Sequence, residues 1–212
     1  SDLWIIAVTA SQDITLSYPE FAALGWNIIS ANKIPGTVSS ERYKRLISLL
    51  KTNACYWGIN ATVGAALPIQ SSLVELIQAG DRILSISGVF SGSLSYLLVN
   101  YDGKTSFTDL IKQARDAGFT EPDPRDDLSG ADVQKKLLIL ARLAGYIINL
   151  DDIDVKPLLP ETFLEGSLAD FWGKKDQIDS YMAETFANAA QQNQKLVYQA
   201  KVSFVDKVAL TS

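Results

Sequence analysis

The hydrophobic and polar positions of the first 65 residues fall into short apolar runs separated by amphipathic stretches. The runs LWIIAVT (3–9), WNIIS (26–30) and CYWGINAT (55–62) predict three strands, and the first has the composition of a strand that is buried on both faces. Segment 15–24 predicts a helix, and Ser39–Ser40 can cap another helix that ends near Leu50. This alternation predicts parallel pairing in a doubly wound sheet of the α/β class.

The pattern changes after residue 66, where strands and helices no longer alternate strictly. Helices are predicted at 68–79, 106–117, 129–144 and about 167–195, and strands at 82–90 and 152–159. This order favours an α+β domain with a mixed sheet. We therefore expect a partial nucleotide-binding (Rossmann-like) domain at 1–66 and a substrate-binding, catalytic and dimerisation domain at 67–212.

Charge and composition argue against some classes of binding partner. The net charge of −5 and the pI near 4.8 argue against nucleic acid or an anionic membrane surface as the main partner. No apolar stretch approaches the roughly 18 residues needed to cross a bilayer. Cys55 is the single cysteine, which fits a core residue in a reducing compartment such as the cytoplasm.

The chemistry available to the chain is restricted by the absence of histidine. Ser-His-Asp and Cys-His catalysis and every zinc site that contains histidine are excluded, so acid–base work falls to Lys, Asp, Glu or Tyr. No glycine fingerprint for a nucleotide occurs, but such a fingerprint belongs to the first strand–helix turn of the sheet. We expect that turn upstream of Ser1, so the sequence is expected to be a fragment or to lack segments of the protein.

The stretch TEPDPRDDLSGADVQKK (120–136) gathers five carboxylates ahead of the apolar run LLILARLAG. Ser129 and Asp132 fit a capping box that starts a helix at 129. Asp132 and Lys136 are then four residues apart on one face, and the same stripe continues through the apolar Ile139. Spacing alone leaves two interpretations open: a capped helix behind a solvated acidic loop, or a site built around a partly buried lysine.

Four separated motifs, in order and at the right spacing, resemble homoserine dehydrogenase. They are SANKIPGT (30–37), NATVGAALP (60–68), FSGSLSYLL (90–98) and GFTEPDPRDDLSGADVQKKLLILARLAG (118–145). The similarity runs from about residue 3 to 160 and is strongest to the version fused behind an aspartokinase. It implies NADPH- or NADH-dependent reduction of L-aspartate 4-semialdehyde to L-homoserine, on the route to threonine, methionine and isoleucine.

The resemblance assigns roles within the acidic stretch. Lys136 matches the catalytic lysine, which donates a proton to the carbonyl oxygen as hydride reaches the carbon. Asp132 would bind substrate and hold Lys136. Glu121 would meet the substrate ammonium group with help from Asp127, because carboxylates complement the ammonium of an amino acid.

Cofactor contacts are implied at the carboxyl ends of the strands, where ligands of doubly wound sheets collect. Lys33 matches a lysine near both nicotinamide and substrate, although a solvated loop lysine is the alternative. Thr9, Ala10 and Ser11 match a turn of Thr-Ser-Ser that contacts the cofactor, with Ala10 in place of a serine. Gly118 matches a glycine whose backbone approaches the cofactor.

The segment NATVGAALP resembles one whose backbone carbonyls bind a monovalent cation, Na⁺ or K⁺, in some members. The ligands would be Asn60, Val63, Ala65 and Leu67, and hard cations accept such oxygens. Asn60 replaces an acidic residue and Ala66 a glycine, so a hinge between domains is an equal alternative.

The expected partners are a small amino-acid substrate and a second copy of the chain, with an aspartokinase domain as a further fused part. The alternating strand RILSISGVF (82–90) could extend a sheet across a two-fold axis, which predicts a homodimer or a higher homo-oligomer. Two rival functions stay open. One is a non-catalytic substrate-binding and dimerisation fragment, and the other is a dehydrogenase of another small amino or hydroxy acid.

Overall fold

The computed structural model describes residues 2–9, 11–205 and 208–211. Its chain divides into two compact units, each described here by itself. The sheet unit comprises residues 1–86, 134–154 and 201–212, and the helical unit comprises residues 87–133 and 155–200. The predicted division into domains at 1–66 and 67–212 stays a prediction.

Strands and helices of the described residues are numbered separately in chain order. They are β1 (Trp4–Ala7), α1 (Gln12–Leu16), α2 (Tyr18–Ala23), β2 (Asn27–Ser30), α3 (Ile34–Thr37), α4 (Ser40–Thr52), β3 (Trp57–Gly58), α5 (Ile69–Gln78), β4 (Ser85–Gly88), α6 (Gly92–Asn100), α7 (Phe107–Asp116), α8 (Arg125–Leu128), α9 (Ala131–Leu143), α10 (Glu161–Leu164), α11 (Leu168–Gly173), α12 (Lys175–Gln191), β5 (Ala200–Val205) and β6 (Val208–Thr211). Single turns of 3₁₀ helix lie at Asn60–Thr62 and Leu150–Asp152. No helix among these elements combines the length and hydropathy needed to cross a membrane.

The first sheet has the predicted parallel arrangement, with strand order β1-β2-β3. Trp4 pairs with Asn27 and Ile28 with Trp57. The apolar side chains of α2, α4 and these strands form one core, because the helices cover one face of the sheet. Its buried members are Ala7, Tyr18, Ala22, Ile28, Leu46 and Leu50.

Three predictions for the first 65 residues are wrong in detail. Trp4 and Ile6 of β1 are 50% and 67% exposed, whereas Ile5 and Ala7 pack in the core. Successive side chains of a strand point to opposite faces, so helices on one face leave the other uncovered in this chain. The third strand is shortened to β3 because residues 60–62 turn into 3₁₀ helix. The helix predicted at 15–24 is two helices, with Pro19 in the first turn of α2.

The second sheet has the order β4-β5-β6, with β5 and β6 antiparallel. The amide N of Phe204 donates to the carbonyl of Leu84 at 2.8 Å. The Tyr146 hydroxyl donates to the carbonyl of Ile83 at 3.0 Å, and its ring stacks on Phe204 with centroids 3.7 Å apart. The fold is therefore mixed α/β, with one parallel and one antiparallel sheet.

The strand predicted at 152–159 is absent from the structure. Asn149 caps a 3₁₀ turn there, since its amide N donates to the Asp152 carboxylate at 2.7 Å. Pro157 has no amide proton for a sheet ladder. The amide N of Leu158 instead donates to the carbonyl of Leu128 at 2.9 Å, which ties the segment to the end of α8.

The helical unit is built around a core of leucine, phenylalanine and isoleucine side chains. Its fully buried members include Leu94 and Leu97 of α6, Phe107 and Ile111 of α7, and Ile178 of α12. The Ser106 hydroxyl caps α7 by accepting from the amide N of Asp109, and the helix lies within the predicted range 106–117. The long helix predicted at 167–195 is two helices, α11 and α12, which meet at Lys174.

Candidate functional site

Helix α9 begins at Ala131, two residues later than the predicted capping box requires. Gly130 has a left-handed φ of 76°, which is not helical and which glycine adopts without steric cost. Ser129 ends helix α8, and its hydroxyl donates to the carbonyl of Asp126 at 3.0 Å. The same hydroxyl accepts from the amide N of Ala131 at 3.3 Å, so Ser129 links two helices at this corner.

Asp132 and Lys136 both lie on α9, four residues apart and therefore on one helix face. Both side chains are half-buried, whereas Ile139, one turn further along, is only 3% exposed. The predicted stripe from polar to buried positions is therefore confirmed. Lys135 is exposed, so the two neighbouring lysines have different surroundings.

The acidic loop ahead of this helix is organised by two of its own carboxylates. The Asp127 carboxylate accepts from the amide N of Glu121 at 2.9 Å. Asp123 forms an ion pair with Arg125, whose guanidinium also donates to the carbonyl of Gly166 at 2.6 Å. The Arg125 guanidinium lowers the pKa of the Asp123 carboxyl below its ordinary value, despite the opposing effect of burial. These contacts leave the Glu121 side chain exposed at a loop position fixed by Asp127.

In the sheet unit, Asn32 joins the turn after β1 to the loop after β2. Its side-chain amide donates to the carbonyls of Thr9 and Ser11 at 3.0 and 3.2 Å. Its Oδ1 accepts from the amide N of Ile34 at 2.9 Å. Lys33, next to it, is half-buried and precedes the first residue of α3. The two segments matched to cofactor contacts are thus brought together at the carboxyl ends of parallel strands, and Ala10 lies outside the described residues.

The turn after β1 suits a ligand that accepts hydrogen bonds. The Thr9 hydroxyl accepts from the amide N of Ser11 at 3.1 Å, and the Ser11 hydroxyl accepts from the amide N of Asp13 at 3.2 Å. Among the described residues neither hydroxyl donates a hydrogen bond, and both residues are exposed. Both hydroxyls can therefore donate hydrogen bonds to the oxygen atoms of a ligand. This arrangement fits a nicotinamide cofactor.

Gly118 ends α7 with a left-handed φ of 75°. Its amide N donates to the carbonyl of Arg115 at 2.9 Å, and a side chain built on it would meet no atom within 4 Å. The backbone here is open to close approach, as the match to a cofactor-contacting glycine implies.

Three of the four carbonyls matched to a cation site, those of Asn60, Val63 and Leu67, lie within reach of a donor from the chain itself. The side-chain nitrogen of Gln70, a residue only 1% exposed, lies 3.1 Å from the carbonyl of Asn60 and 3.5 Å from that of Val63. The carbonyl of Leu67 accepts from the amide N of Ile69 at 2.8 Å. The Gln70 nitrogen has only two protons, and its shortest contacts are to the carbonyl of Ile59 at 2.9 Å and the hydroxyl of Thr62 at 3.0 Å. The cation site therefore stays a prediction, and we assign no step of a reaction to it. In the described residues no cluster of His, Cys, Asp or Glu forms another metal site.

Three residues that hold these segments escaped the sequence-based prediction: Asn32, Gln70 and Arg142. The signal for Arg142 was present, since it is the one charge inside the apolar run LLILARLAG. Asn32 follows a buried strand directly, where a short amide side chain can bond to a neighbouring turn. No pattern marks Gln70, because its acceptors lie in a 3₁₀ turn that was predicted as strand. Cys55 is half-buried and packs against the first core, as expected of a structural cysteine.

Comparisons with known proteins bear on these residues. A family model described as homoserine dehydrogenase matches residues 68–212. The chain is 44% identical over 200 residues to the Escherichia coli protein named bifunctional aspartokinase/homoserine dehydrogenase 2, and the match covers 94% of this chain and 25% of that protein. It is 37% identical over 209 residues to a Schizosaccharomyces pombe homoserine dehydrogenase, and that match covers 95% of this chain and 56% of the relative.

A solved structure supports the fold. The crystal structure of a homoserine dehydrogenase from Thiobacillus denitrificans superposes with a TM-score of 0.72 at 19% identity, over 96% of this chain and 42% of that one. At this identity the likeness concerns the fold alone. The chain spans a quarter to about half of the length of the curated relatives described above.

Proposed function

Because the chain belongs to the homoserine dehydrogenase family, we propose that the intact protein reduces L-aspartate 4-semialdehyde to L-homoserine with NADPH or NADH. The observation that carries the proposal is helix α9, which presents Asp132 and Lys136 on one face behind an ordered acidic loop. In that loop the Asp127 carboxylate fixes the backbone of Glu121. The chain covers only part of its relatives, so the activity is proposed for the whole protein.

In the proposed reaction Lys136 is the general acid. The nicotinamide ring supplies a hydride to the aldehyde carbon when the cofactor is bound. The Lys136 ammonium gives its proton to the aldehyde oxygen as negative charge develops there, and a proton from solvent restores the ammonium. Asp132 lies one turn before Lys136 on the same helix face, where its carboxylate can hold the lysine side chain in place.

Substrate recognition rests on the loop before α9. Aspartate semialdehyde carries an ammonium group, and the exposed Glu121 carboxylate is its complement. Asp127 contributes by holding the amide of Glu121, so its role combines positioning with negative charge near the ligand. An aldehyde without an ammonium group would lose this interaction.

Cofactor binding is assigned to the turn after β1 and to the loop after β2. The hydroxyls of Thr9 and Ser11 donate to cofactor oxygens, while Asn32 satisfies the carbonyls of the same turn. Lys33 contributes a positive charge at the edge where both strands end. Gly118 allows the backbone to approach closely.

The fused domain, the pathway, the compartment and the oligomeric state of the enzyme are also part of the proposal. Relatives named bifunctional aspartokinase/homoserine dehydrogenase, such as the Escherichia coli protein at 44% identity, support an aspartokinase fused upstream and a role in threonine and methionine synthesis. The single cysteine favours a reducing compartment such as the cytoplasm. Strand β4 and its sheet favour a homodimer or a higher homo-oligomer.

A substrate comparison with the intact protein tests the proposal. Oxidation of NADPH and of NADH is followed with aspartate semialdehyde, and with butyraldehyde as the matched aldehyde that lacks the amino-acid groups. We expect turnover with aspartate semialdehyde and at least ~10²-fold lower kcat/KM with butyraldehyde, because the pairing of the ammonium is lost. No oxidation above the blank with either cofactor, or equal rates with both aldehydes, would reject the proposed function.

A further inference from the structure

Arg142 is a buried cation in the last turn of helix α9. Its side chain is 3% exposed, and among the described carboxylates none pairs with it. Its nitrogens donate instead to two backbone carbonyls, those of Gly36 at 2.9 Å and of Ile148 at 2.8 and 3.1 Å. The guanidinium lies over the Tyr43 ring, with its central carbon 4.7 Å from the ring centroid.

Burying a charged residue in a core is energetically unfavourable. Taking a charge out of water is unfavourable unless hydrogen bonds compensate, and an apolar side chain of similar volume often packs at no loss of stability. Burial lowers the pKa of Arg142 and raises the pKa of Tyr43, which agrees with a desolvated pair. Arginine is distinguished by its planar fork, which can hold two separate segments at once.

Of the two segments that Arg142 contacts, the one that contains Gly36 is hydrogen-bonded to Lys33. The amide N of Gly36 donates to the carbonyl of Lys33 at 3.0 Å, and the carbonyl of Gly36 accepts from Arg142. Gly36 also packs closely on α9, since a Cβ at this position would lie 2.9 Å from Cγ1 of Ile139. The short helix α3 is therefore held against α9 by a hydrogen bond and by a contact that only glycine allows.

The same helix carries Lys136, six residues before Arg142. At about 1.5 Å per residue the two positions are ~9 Å apart along a rigid α-helix. The backbone of Lys33 is thus linked through Gly36 and Arg142 to the element that carries Lys136.

We infer that Arg142 is a positioning residue, which fixes α3 against α9 and so sets the place of Lys33 relative to Lys136. The inference rests on the proposed function, because it concerns two residues of the proposed reaction. A misplacement of about 1 Å in a reacting group can cost ~10²-fold in rate, so a small shift of α3 is enough to be measured.

The test uses two independent substitutions in the intact enzyme, each of which weakens the contact between α3 and α9. Arg142→Lys keeps the charge but cannot reach both carbonyls, and Gly36→Ala pushes α3 away without touching the charge. We expect each to lower kcat by ~10- to 100-fold with the protein folded. Adding Ile139→Ala to Gly36→Ala removes the clashing atoms, and should restore kcat to within about threefold of Ile139→Ala alone. Arg115→Lys, at an exposed ion pair, is the control and should stay within about twofold of wild type.

The outcomes separate this inference from the proposed function. Folded Arg142→Lys and Gly36→Ala with kcat within twofold of wild type would overturn the positioning role, as would a lower melting temperature with unchanged kcat. An intact wild-type enzyme without the proposed activity would reject the function instead. Hydrogen exchange at the amides of residues 36 and 37 then decides: faster exchange in Arg142→Lys upholds the positioning of α3, and unchanged exchange overturns it.

Discussion

Replacement of Asn32 by alanine removes the side chain that joins the turn after β1 to the loop carrying Lys33. Asn32 is 7% exposed and makes three hydrogen bonds with the carbonyls of Thr9 and Ser11 and the amide of Ile34. Each hydrogen bond contributes about 0.5–1.5 kcal/mol net. Thr9 and Ser11 are exposed, so in the variant their carbonyls can accept hydrogen bonds from water instead. We therefore expect the lower part of the summed range, a loss of about 2 kcal/mol in the free energy of unfolding.

For a domain of this size such a loss lowers the melting temperature by about 4–8 °C. The assay is thermal and urea unfolding of the intact protein, followed by circular dichroism. Asn100→Ala is the matched control, since Asn100 is exposed and, within the part of the chain that the structure describes, its amide donates only to Tyr96 of the same helix. It should cost less than about 0.5 kcal/mol. Equal losses for the two variants, or a loss below about 0.5 kcal/mol for Asn32→Ala, would refute the reasoning.

Further expectations concern charge, pH and assembly. Lys33→Ala should lower turnover and change stability by no more than about 0.5 kcal/mol, and wild-type activity in the intact enzyme would remove Lys33 from the site. The lowered pKa of Asp123 means that its carboxylate stabilises the fold above about pH 4, and that this contribution is lost as pH falls through the folded-state pKa. Asp123→Asn should thus melt further below wild type at pH 7 than at pH 3; an equal difference at both pH values would exclude the ion pair as its cause. Light scattering at micromolar concentration should give at least a dimeric mass, and a monomer would remove the proposed association.

Local patterns predicted most elements of the sheet unit. The apolar runs gave the parallel strands, and Ser39 caps α4 through the amide N of Arg42 as expected. The prediction at 152–159 was wrong because its alternation of apolar residues also suits a capped turn followed by a proline-bearing loop. Helix α9 was predicted two residues too early, since the sequence does not tell whether Gly130 will be helical.

Spacing placed Asp132 and Lys136 on one helix face, which the structure confirms. Their roles came from the resemblance and stay predictions, and the residues that hold the proposed site in place could not be predicted. Arg142 and Gly36 are separated by 106 residues, and a contact of that range leaves no periodic signal in a single sequence. Resemblance supplied the roles of Lys33 and Glu121, which stay predictions until they are measured.

The most direct test of the central claim is the turnover number of Lys136→Ala in the intact enzyme. With aspartate semialdehyde we expect kcat to fall by ~10²–10⁴, the usual contribution of a positioned general acid. Lys136→Arg should fail almost as badly, since guanidinium keeps its proton at any working pH. Lys135→Ala, at the exposed neighbour on the same helix, should keep wild-type turnover. A folded Lys136→Ala enzyme with kcat within about threefold of wild type would contradict the account.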